Sequence, residues 1–263
     1  MKKLSLAIAS VLFSGVAAAQ SYQSITDFEY LHADSNNYYS MQSKYYFAPK
    51  KVLGPWDQFD YINKTTNVFG GLAEGDDTSG FNVGGEYFVE NFVIGASYEE
   101  FDFDGFGYFD GNTVSVGYLF NPDLLVKLER IDYDGSDELY LVSGQYNHQL
   151  NATDYLGFTA RVGDDLDYRE FSAKYFTELQ NGHYLALEAT ILDTEGAGND
   201  WMLGANYYFS EATSIFAHIS DDENYGFGVQ HYFTKNFALT AGYSNNADYG
   251  NDDQYYVKVT AQF

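Results

Sequence analysis

The chain has 263 residues, a formal net charge of -25 at pH 7, no Cys and three Pro. So acidic a balance argues against nucleic-acid binding, which requires clustered Lys and Arg, and the absence of Cys excludes a disulfide framework. The 26 Tyr and 22 Phe are the opposite of an intrinsically disordered composition.

The beginning of the chain predicts a cleaved secretory signal peptide, residues 1–19. Positions 2 and 3 are lysines, residues 4–16 are apolar, and three alanines follow as a small-residue cleavage site. The apolar run is shorter than the roughly 18 residues that a membrane-spanning helix needs. We expect cleavage between Ala19 and Gln20, which leaves a mature domain of residues 20–263.

From residue 21 onward, short segments of alternating polar and apolar residues each end at Gly, Asn or Asp, a pattern typical of strands joined by turns. After the signal peptide no apolar run is long enough for a transmembrane helix, so a membrane location would require a closed barrel. We predict an all-β fold, an antiparallel transmembrane β-barrel of sixteen strands; twelve or fourteen strands with longer loops would also fit the length. The predicted segments are 22–32, 37–48, 65–74, 81–89, 92–103, 112–120, 124–134, 138–150, 155–163, 167–179, 184–193, 200–209, 213–220, 224–233, 237–245 and 253–263.

Between the second and third segments lies one irregular insertion, Pro49–Asn63, which holds two of the three prolines. We expect it to form either a partial plug of the lumen or a short cap at the inner end of the barrel. The alternative is a further hairpin hidden in these residues.

The turns alternate between two chemical classes. One class is tight and flanked by aromatic residues, as in Tyr87–Phe92 and Tyr232–Phe237, and the other is rich in Asp and Glu. A soluble sandwich has no reason to gather its carboxylates at one end, whereas the two ends of a membrane barrel face different solvents. With both termini on the periplasmic side, the acidic turns are extracellular. The predicted acidic rim comprises Asp76, Asp77, Asp102, Asp104, Asp134, Asp137, Asp164, Asp165, Asp221, Asp222, Asp252 and Asp253.

The last segment shows most clearly what the two faces of a strand carry. Tyr255, Val257 and Val259 share one face, and Lys258 lies on the other among Gln and Thr. A sandwich core needs large apolar side chains converging from both sheets, and a face of small, polar and charged residues cannot fill a dry interior. We therefore expect the apolar faces to contact lipid and the polar faces to line a water-filled lumen.

Charged side chains of both signs fall on the predicted lumen face. Some could be salt-bridged supports that only hold the wall in shape, but as a set they create a transverse field from which a channel draws selectivity. The acidic rim should raise the local concentration of cations. The predicted pore-lining residues are Lys44, Glu86, Lys127, Glu129, Arg161, Glu170, Lys174, Glu188, His218 and Lys258.

Enzymatic and metal-binding chemistry finds little support in the sequence. His218 is predicted to point inward, but a lone histidine among serines is more typical of a pore wall than of a catalytic base. A barrel lipase or deacylase would require it. The acidic run Asp132–Glu138 lacks the full spacing and the terminal bidentate Glu of an EF-hand. We expect no enzymatic activity, no metal and no cofactor.

Taken together, these features resemble Gram-negative outer-membrane porins. The terminal Phe263, preceded at alternate positions by Tyr255, Val257 and Val259, resembles the closing strand that the barrel-assembly machinery recognises, so these four residues form a candidate assembly signal. More narrowly, several short motifs resemble the start of the putative general bacterial porins. These are Tyr45-Tyr46-Phe47-Ala48-Pro49, Gly54-Pro55, Asn63-Lys64 and Asn67-Val68.

The resemblance implies a multi-pass barrel in the bacterial outer membrane, in contact with lipid and lipopolysaccharide. Its expected function is passive diffusion of small hydrophilic solutes, with a mild cation preference. The chain departs from trimeric general porins because it is short and has no long outer loop after the fifth strand. The sequence therefore does not decide whether the chain forms a homo-oligomer. It also does not decide whether a loop narrows the pore to a tight eyelet. The alternative function is a non-conducting surface barrel with a role in adhesion or envelope integrity.

Overall fold

A computed structural model describes residues 21–33, 36–105, 107–196, 198–221, 224–246 and 252–263. The predicted signal peptide, with Ala19 and Gln20, lies outside the described residues, and so does Asp222. The strands are β1 (Ser21–Ala33), β2 (Asn36–Lys51), β3 (Asn67–Gly75), β4 (Thr78–Val89), β5 (Phe92–Phe103), β6 (Gly107–Asn121), β7 (Leu124–Tyr133), β8 (Leu139–Gln149), β9 (Tyr155–Gly163), β10 (Tyr168–Glu178), β11 (Tyr184–Thr194), β12 (Gly198–Ser210), β13 (Thr213–Ser220), β14 (Tyr225–Thr234), β15 (Phe237–Asn246) and β16 (Asp252–Gln262). Within the described ranges, no helix has the length and apolar character needed to cross a membrane.

The strands form one closed antiparallel barrel in which each strand pairs with its neighbours in sequence. Closure comes from the pairing of β1 with β16, whose register runs from Ile25 opposite Gln262 to Ala33 opposite Gln254. At the seam the carbonyl of Phe263 accepts hydrogen bonds from the backbone N–H groups of Gln23 (2.5 Å) and Ser24 (2.8 Å). Closure leaves no unpaired sheet edge, which a membrane barrel requires because lipid offers no hydrogen-bonding partner.

The prediction of sixteen antiparallel strands is confirmed, and the strand boundaries differ from the expected ones by a few residues. Strand β2 continues to Lys51 instead of ending at 48, because Lys50 and Lys51 pair with the first residues of β1. Strand β6 begins at Gly107 instead of 112, since Gly107 already pairs with Phe103 at the end of β5. Pairing with a neighbouring strand therefore extends both strands beyond the local alternation.

The turns separate into two ends. The turns that follow odd-numbered strands lie at one end, which includes 76–77, 134–138 and 164–167. The turns that follow even-numbered strands lie at the other end with both described termini, and several are only two residues long, such as 90–91 and 235–236. The exception there is the insertion, which spans 52–66 and not the predicted Pro49–Asn63, because Pro49, Lys50 and Lys51 belong to β2 and β3 begins only at Asn67. It joins β2 to β3 and includes a single β-bridge between Val52 and Phe59.

The apolar face of the wall points outward. In β16, Tyr255, Val257 and Val259 are 54%, 43% and 43% exposed, whereas Thr260 and Gln262 on the opposite face are 5% and 1% exposed. A continuous exposed apolar surface of this kind is typical of a lipid-facing barrel wall. Aromatic residues gather on it near the end that holds the insertion, where an interfacial girdle is expected. Ring pairs there include Phe92–Tyr118, Tyr207–Phe209 and Phe237–Phe263.

Candidate functional site: a charged inner wall and an inward-folded insertion

The contacts of the insertion identify the inner face of the barrel. Ile62 packs against Val93, Leu119 and Leu125 on β5, β6 and β7, whereas Trp56 stacks edge-on against Tyr232 of β14, with ring centroids 5.6 Å apart. One segment can reach strands that are so far apart around the wall only from inside. Because alternate residues of a strand share a face, each predicted pore-lining residue can then be assigned to the inner or the outer face by its position relative to these contacts.

Five of the predicted residues form a chain of ion pairs across the inner wall. Lys127 Nζ lies 3.1 Å from Glu86 Oε1 and 4.0 Å from Glu129 Oε2. Arg161 then lies 4.0 Å from Glu129 and 3.4 Å from Glu170. The chain runs from β4 to β10 with alternating sign, so each charge has an opposite neighbour. A separate pair joins Lys174 Nζ to Glu188 Oε1 at 2.7 Å.

Glycine makes the first of these pairs geometrically feasible. Strands β4 and β7 are separated by two other strands, each adding about 4.8 Å along the wall. Gly117 of β6 lies between them, and a Cβ there would stand 2.5 Å from the Lys127 side chain. Because Gly117 has no side chain, the lysine can lie along the wall toward Glu86.

Glu86 connects the charged wall to the insertion. Its Oε2 accepts hydrogen bonds from the side-chain amides of Asn63 in the insertion (3.2 Å) and Asn67 at the start of β3 (3.1 Å). The Asn63 carbonyl oxygen in turn accepts one from Lys50 Nζ at 3.1 Å. One carboxylate therefore binds the wall lysine and the insertion together.

The three remaining predicted pore-lining residues lie on the same face but outside the ion-pair chain. Lys44 Nζ lies 5.5 Å from the ring centroids of both Tyr46 and Phe69, a cation–π arrangement. His218 shares its face with the buried Ser214, and Lys258 shares its face with the buried Thr260. The structure thus joins five of the ten predicted residues in one ion-pair chain that contacts the insertion, and Lys44 interacts electrostatically with Glu86 at one end of that chain.

On one side of the barrel the insertion is anchored by aromatic packing. Leu53 and Tyr61 pack on a cluster of buried residues from β9 to β12. The hydroxyl groups of Tyr61 and Thr159 share a hydrogen bond of 2.7 Å. Gly54 adopts a positive φ of +127°, and a Cβ at that position would overlap the ring of Tyr184. The close approach of backbone to ring therefore requires glycine. The buried cluster consists of Tyr155, Phe176, Tyr184, Ala186 and Tyr208.

Hydrogen bonds hold the tip of the insertion on the other side. The backbone N–H of Trp56 donates to the carbonyl of Glu211 in the β12–β13 turn (3.0 Å), and its indole Nε1 donates to the Glu211 carboxylate (3.3 Å). The amide of Gln262 donates to the Trp56 carbonyl at 3.1 Å. The insertion therefore extends across this end of the barrel and contacts wall residues on both sides.

The predicted rim residues lie at the opposite end, and nearly all of their described side chains are exposed. The described rim positions are Asp76 and Asp77 in the β3–β4 turn, Asp102 and Asp104 at the end of β5, Asp134 and Asp137 in the β7–β8 turn, Asp164 and Asp165 in the β9–β10 turn, Asp221 after β13, and Asp253 in β16. Within the described turns, no group of His, Asp and Glu is arranged to hold a metal ion.

Carboxylates at this acidic end differ in their environment. A hydrogen bond from Arg130 lowers the pKa of Glu138 to about 2. In contrast, a carboxyl–carboxyl hydrogen bond with Asp110 raises the pKa of Asp134, and one with Asp167 raises the pKa of Glu195. Like charges held close together disfavour ionisation.

A match to one protein family identifies what kind of protein this chain is. The model of one protein family, described as putative general bacterial porin, matches residues 1–263, the whole chain. The chain belongs to this porin family. Porins are outer-membrane channels rather than enzymes. No curated protein sequence shows significant similarity to the chain.

Solved structures share the fold of this porin. The outer membrane protein Omp33 of Acinetobacter baumannii superposes with a TM-score of 0.60 at 17% identity, covering 94% of this chain and 100% of that one. A triple mutant of the Rhodopseudomonas blastica porin superposes with a TM-score of 0.53 at 12% identity, covering 92% and 99%. At these identities the likeness establishes the barrel fold alone.

The sequence of this porin predicts the insertion, but it does not show which residues anchor the insertion to the wall. The sequence pattern assigns no wall contact to Tyr61, Ile62 or Asn63, although each contacts the inner wall. The many large apolar side chains of the insertion are the one sequence feature that indicates packing against the wall, since an exposed loop has no reason to carry them. The residues that they contact, such as Thr159, are too distant in sequence to be found by pattern.

Proposed function

We propose that this porin is a passive diffusion channel for small hydrophilic solutes with a mild cation preference. The observation that supports the proposal is the difference between its two charge sets. Charges on the inner wall are largely paired with opposite charges, whereas the outer rim presents exposed carboxylates. Paired charges keep a passage hydrated without strongly favouring cations or anions. The net preference for cations therefore comes from the rim.

This bias should be modest and dependent on salt. The Debye length is about 8 Å at 0.15 M ionic strength and about 3 Å at 1 M. Rim carboxylates therefore raise the cation concentration at the mouth in dilute salt and lose this effect in concentrated salt.

A planar bilayer experiment tests the proposal. Purified protein in a KCl gradient should give ohmic current steps with a reversal potential biased toward K⁺, and the bias should shrink as salt rises. A variant with Asp76, Asp77, Asp164 and Asp165 changed to Asn removes a third of the predicted rim, and it should keep the step size and lose a measurable part of the bias. Folded protein that gives no current steps would refute the channel, and an unchanged bias in the variant would refute the role of the rim.

A second function, a non-conducting surface barrel in adhesion or envelope integrity, is favoured by one observation. The insertion lies across the periplasmic end and contacts both sides of the wall. Replacing residues 53–65 with a short Gly-Ser link distinguishes the two functions. If the intact protein is silent and the deletion variant conducts, the insertion is a plug and the barrel does not conduct at rest.

The proposal extends to the partners of the protein. The apolar outer wall suits outer-membrane lipid, the acidic rim suits the cation-bridged lipopolysaccharide layer, and the β16 seam is the segment that we expect the barrel-assembly machinery to bind. Whether two copies associate can be measured by crosslinking in native membranes, with a monomer expected if the wall is covered only by lipid.

A further inference from the structure

One carboxyl group of the insertion occupies an unusual position. Asp57 lies in a tight turn in which the N–H of Gln58 donates to the Pro55 carbonyl (3.0 Å) and the N–H of Leu53 donates to the Gln58 carbonyl (2.8 Å). Its Oδ1 atom is buried and has no hydrogen-bond partner among the described residues. A buried acceptor without a partner is costly, and an ionised one is far more so.

The neighbour of this carboxyl is the hydroxyl group of Tyr208 on β12. That oxygen already accepts hydrogen bonds from Gln58 Nε2 (2.6 Å) and Asn206 Nδ2 (2.9 Å). Its own proton is therefore available for the carboxyl, but it can reach only one of the two carboxyl oxygens. The backbone N–H of Asp57 and the side chain of Gln58 also favour the ionised carboxyl, but burial outweighs these contacts, and Oδ1 keeps no hydrogen-bond partner among the described residues.

The surrounding charges do not compensate an ionised Asp57. The cation that it meets is Lys174 of β10, which is paired with Glu188 of β11 at 2.7 Å. Tyr232 of β14 faces it from the other side. Beyond Tyr232 lie the groups of β1, Tyr22 and Asp27, and Glu211 of the β12–β13 turn binds the adjacent Trp56. None of these groups offers an additional positive charge.

We propose that Asp57 is the proton-dependent latch of the insertion: its neutral carboxyl seats residues 52–66 against the inner wall, and its ionisation releases them. The proposal rests on the channel function given above, to which it adds control of access at the periplasmic mouth. Released residues would return the carboxylate to water, which removes the penalty of burial.

The direction of the pH effect follows from linkage. Burial raises the pKa of Asp57 above its ordinary value. A group whose pKa is higher in the seated state favours that state below its ordinary pKa, near 4. As pH rises from there through the raised value, seating is progressively lost and then levels off. Each pKa unit of elevation shifts the seating equilibrium tenfold at full ionisation.

Intrinsic fluorescence can follow the insertion directly, because the chain has two tryptophans, Trp56 and Trp201. A Trp201→Phe background leaves Trp56 as the reporter in full-length protein in lipid vesicles. Quenching of Trp56 by acrylamide should be low at about pH 4 and rise toward about pH 8, the range over which a raised carboxyl pKa is crossed. Adding Asp57→Asn, which is isosteric and neutral, should keep quenching low throughout.

A matched control is Asp60→Asn, which removes an exposed carboxylate three residues along the same insertion. It should keep the pH-dependent quenching of the background protein. Quenching that is independent of pH, or that changes equally in the Asp57→Asn variant, would overturn the latch. Heat-modifiable electrophoretic mobility verifies that each variant is folded.

Conductance separates the latch from the channel proposal. With a working latch the mean current should rise as pH increases, by at most tenfold per pKa unit of elevation because the current follows the released fraction, and Asp57→Asn should hold it at the acid level. Steady conductance without pH-dependent quenching would refute the latch and leave the channel standing. pH-dependent quenching without current would support the latch and refute the channel.

Discussion

The two mouths of this porin depend on different physical interactions. At the acidic mouth the turns are short, and their charged side chains are exposed to solvent. At the other mouth the insertion buries Ile62 and Pro55 and packs beside buried aromatic residues of the wall. One mouth is thus governed by a screened electric field, and the other by close packing and hydrogen bonds.

The difference indicates a division of roles. Exposed carboxylates interact over about a Debye length and each contributes little to stability, so under the proposed function their role is to tune which ions enter. The proposed latch gives the packed insertion two discrete arrangements, seated or released, because a packed interface does not deform continuously. Changes at the mouth that holds the insertion should therefore alter assembly and access, and changes at the acidic mouth should alter only local electrostatics.

The largest effect is expected from deleting Phe263 at the seam between β1 and β16. The deletion removes its hydrogen bonds to Gln23 and Ser24 and its edge-to-face contact with Phe237. We expect several-fold less heat-modifiable barrel in the outer membrane, while the protein that does insert conducts normally. Quantitative immunoblotting of membrane fractions measures this. A Phe263→Tyr variant should assemble normally, and normal levels of the deletion variant would remove the assembly role.

Next in size is Ile62→Ala in the insertion. Ile62 is 2% exposed against Val93, Leu119 and Leu125, and such a truncation costs about 2–5 kcal/mol. The insertion should release more readily, with stronger acrylamide quenching of Trp56 and higher mean current. Ile219→Ala, which removes the same atoms from the outer wall, should change neither. Equal effects of the two variants would mean that seating does not depend on this contact.

A smaller effect is expected for Glu86→Gln, which tests the link between the charged wall and the insertion. It removes the ion pair with Lys127 and weakens the acceptor for Asn63, a loss of about 1–3 kcal/mol. Seating should weaken, and the inner wall should lose one negative charge, which lowers cation preference. Glu170→Gln is the control, since its contacts are with Arg161 and Tyr168 of the wall and not with the insertion. It should lower cation preference and leave seating intact.

The smallest effect is confined to the acidic mouth. Arg130 holds the pKa of Glu138 at about 2, below the ordinary 4.5. A depressed carboxyl pKa means that the interaction is fully present above about pH 4.5 and is lost as pH falls through about 2. Carboxyl NMR should show the low titration midpoint, and Arg130→Gln should return it toward 4.5. Neither change should move the quenching of Trp56; if it does, the two mouths are coupled.

Period-two alternation by itself predicted which face of a strand points away from the interior of the barrel. For β16 this placed Tyr255, Val257 and Val259 outside and Lys258 inside, as the exposures of the first three show. The inference succeeds because a strand's faces are a local property, and because a polar face cannot form a dry core. The number of strands and the separation of acidic from aromatic turns could also be predicted from the sequence, since each turn depends on residues that are neighbours in the chain.

Only the tertiary structure decided what the insertion does and which charges meet. Tyr61 and Thr159 are 98 positions apart, and Trp56 and Gln262 are 206 apart, so no local pattern can pair them. The partners depend on strand order, register and the width of the barrel, which arise only when β1 pairs with β16. The same holds for Asp57, whose exceptional position exists only because Tyr208 faces it across the closed barrel.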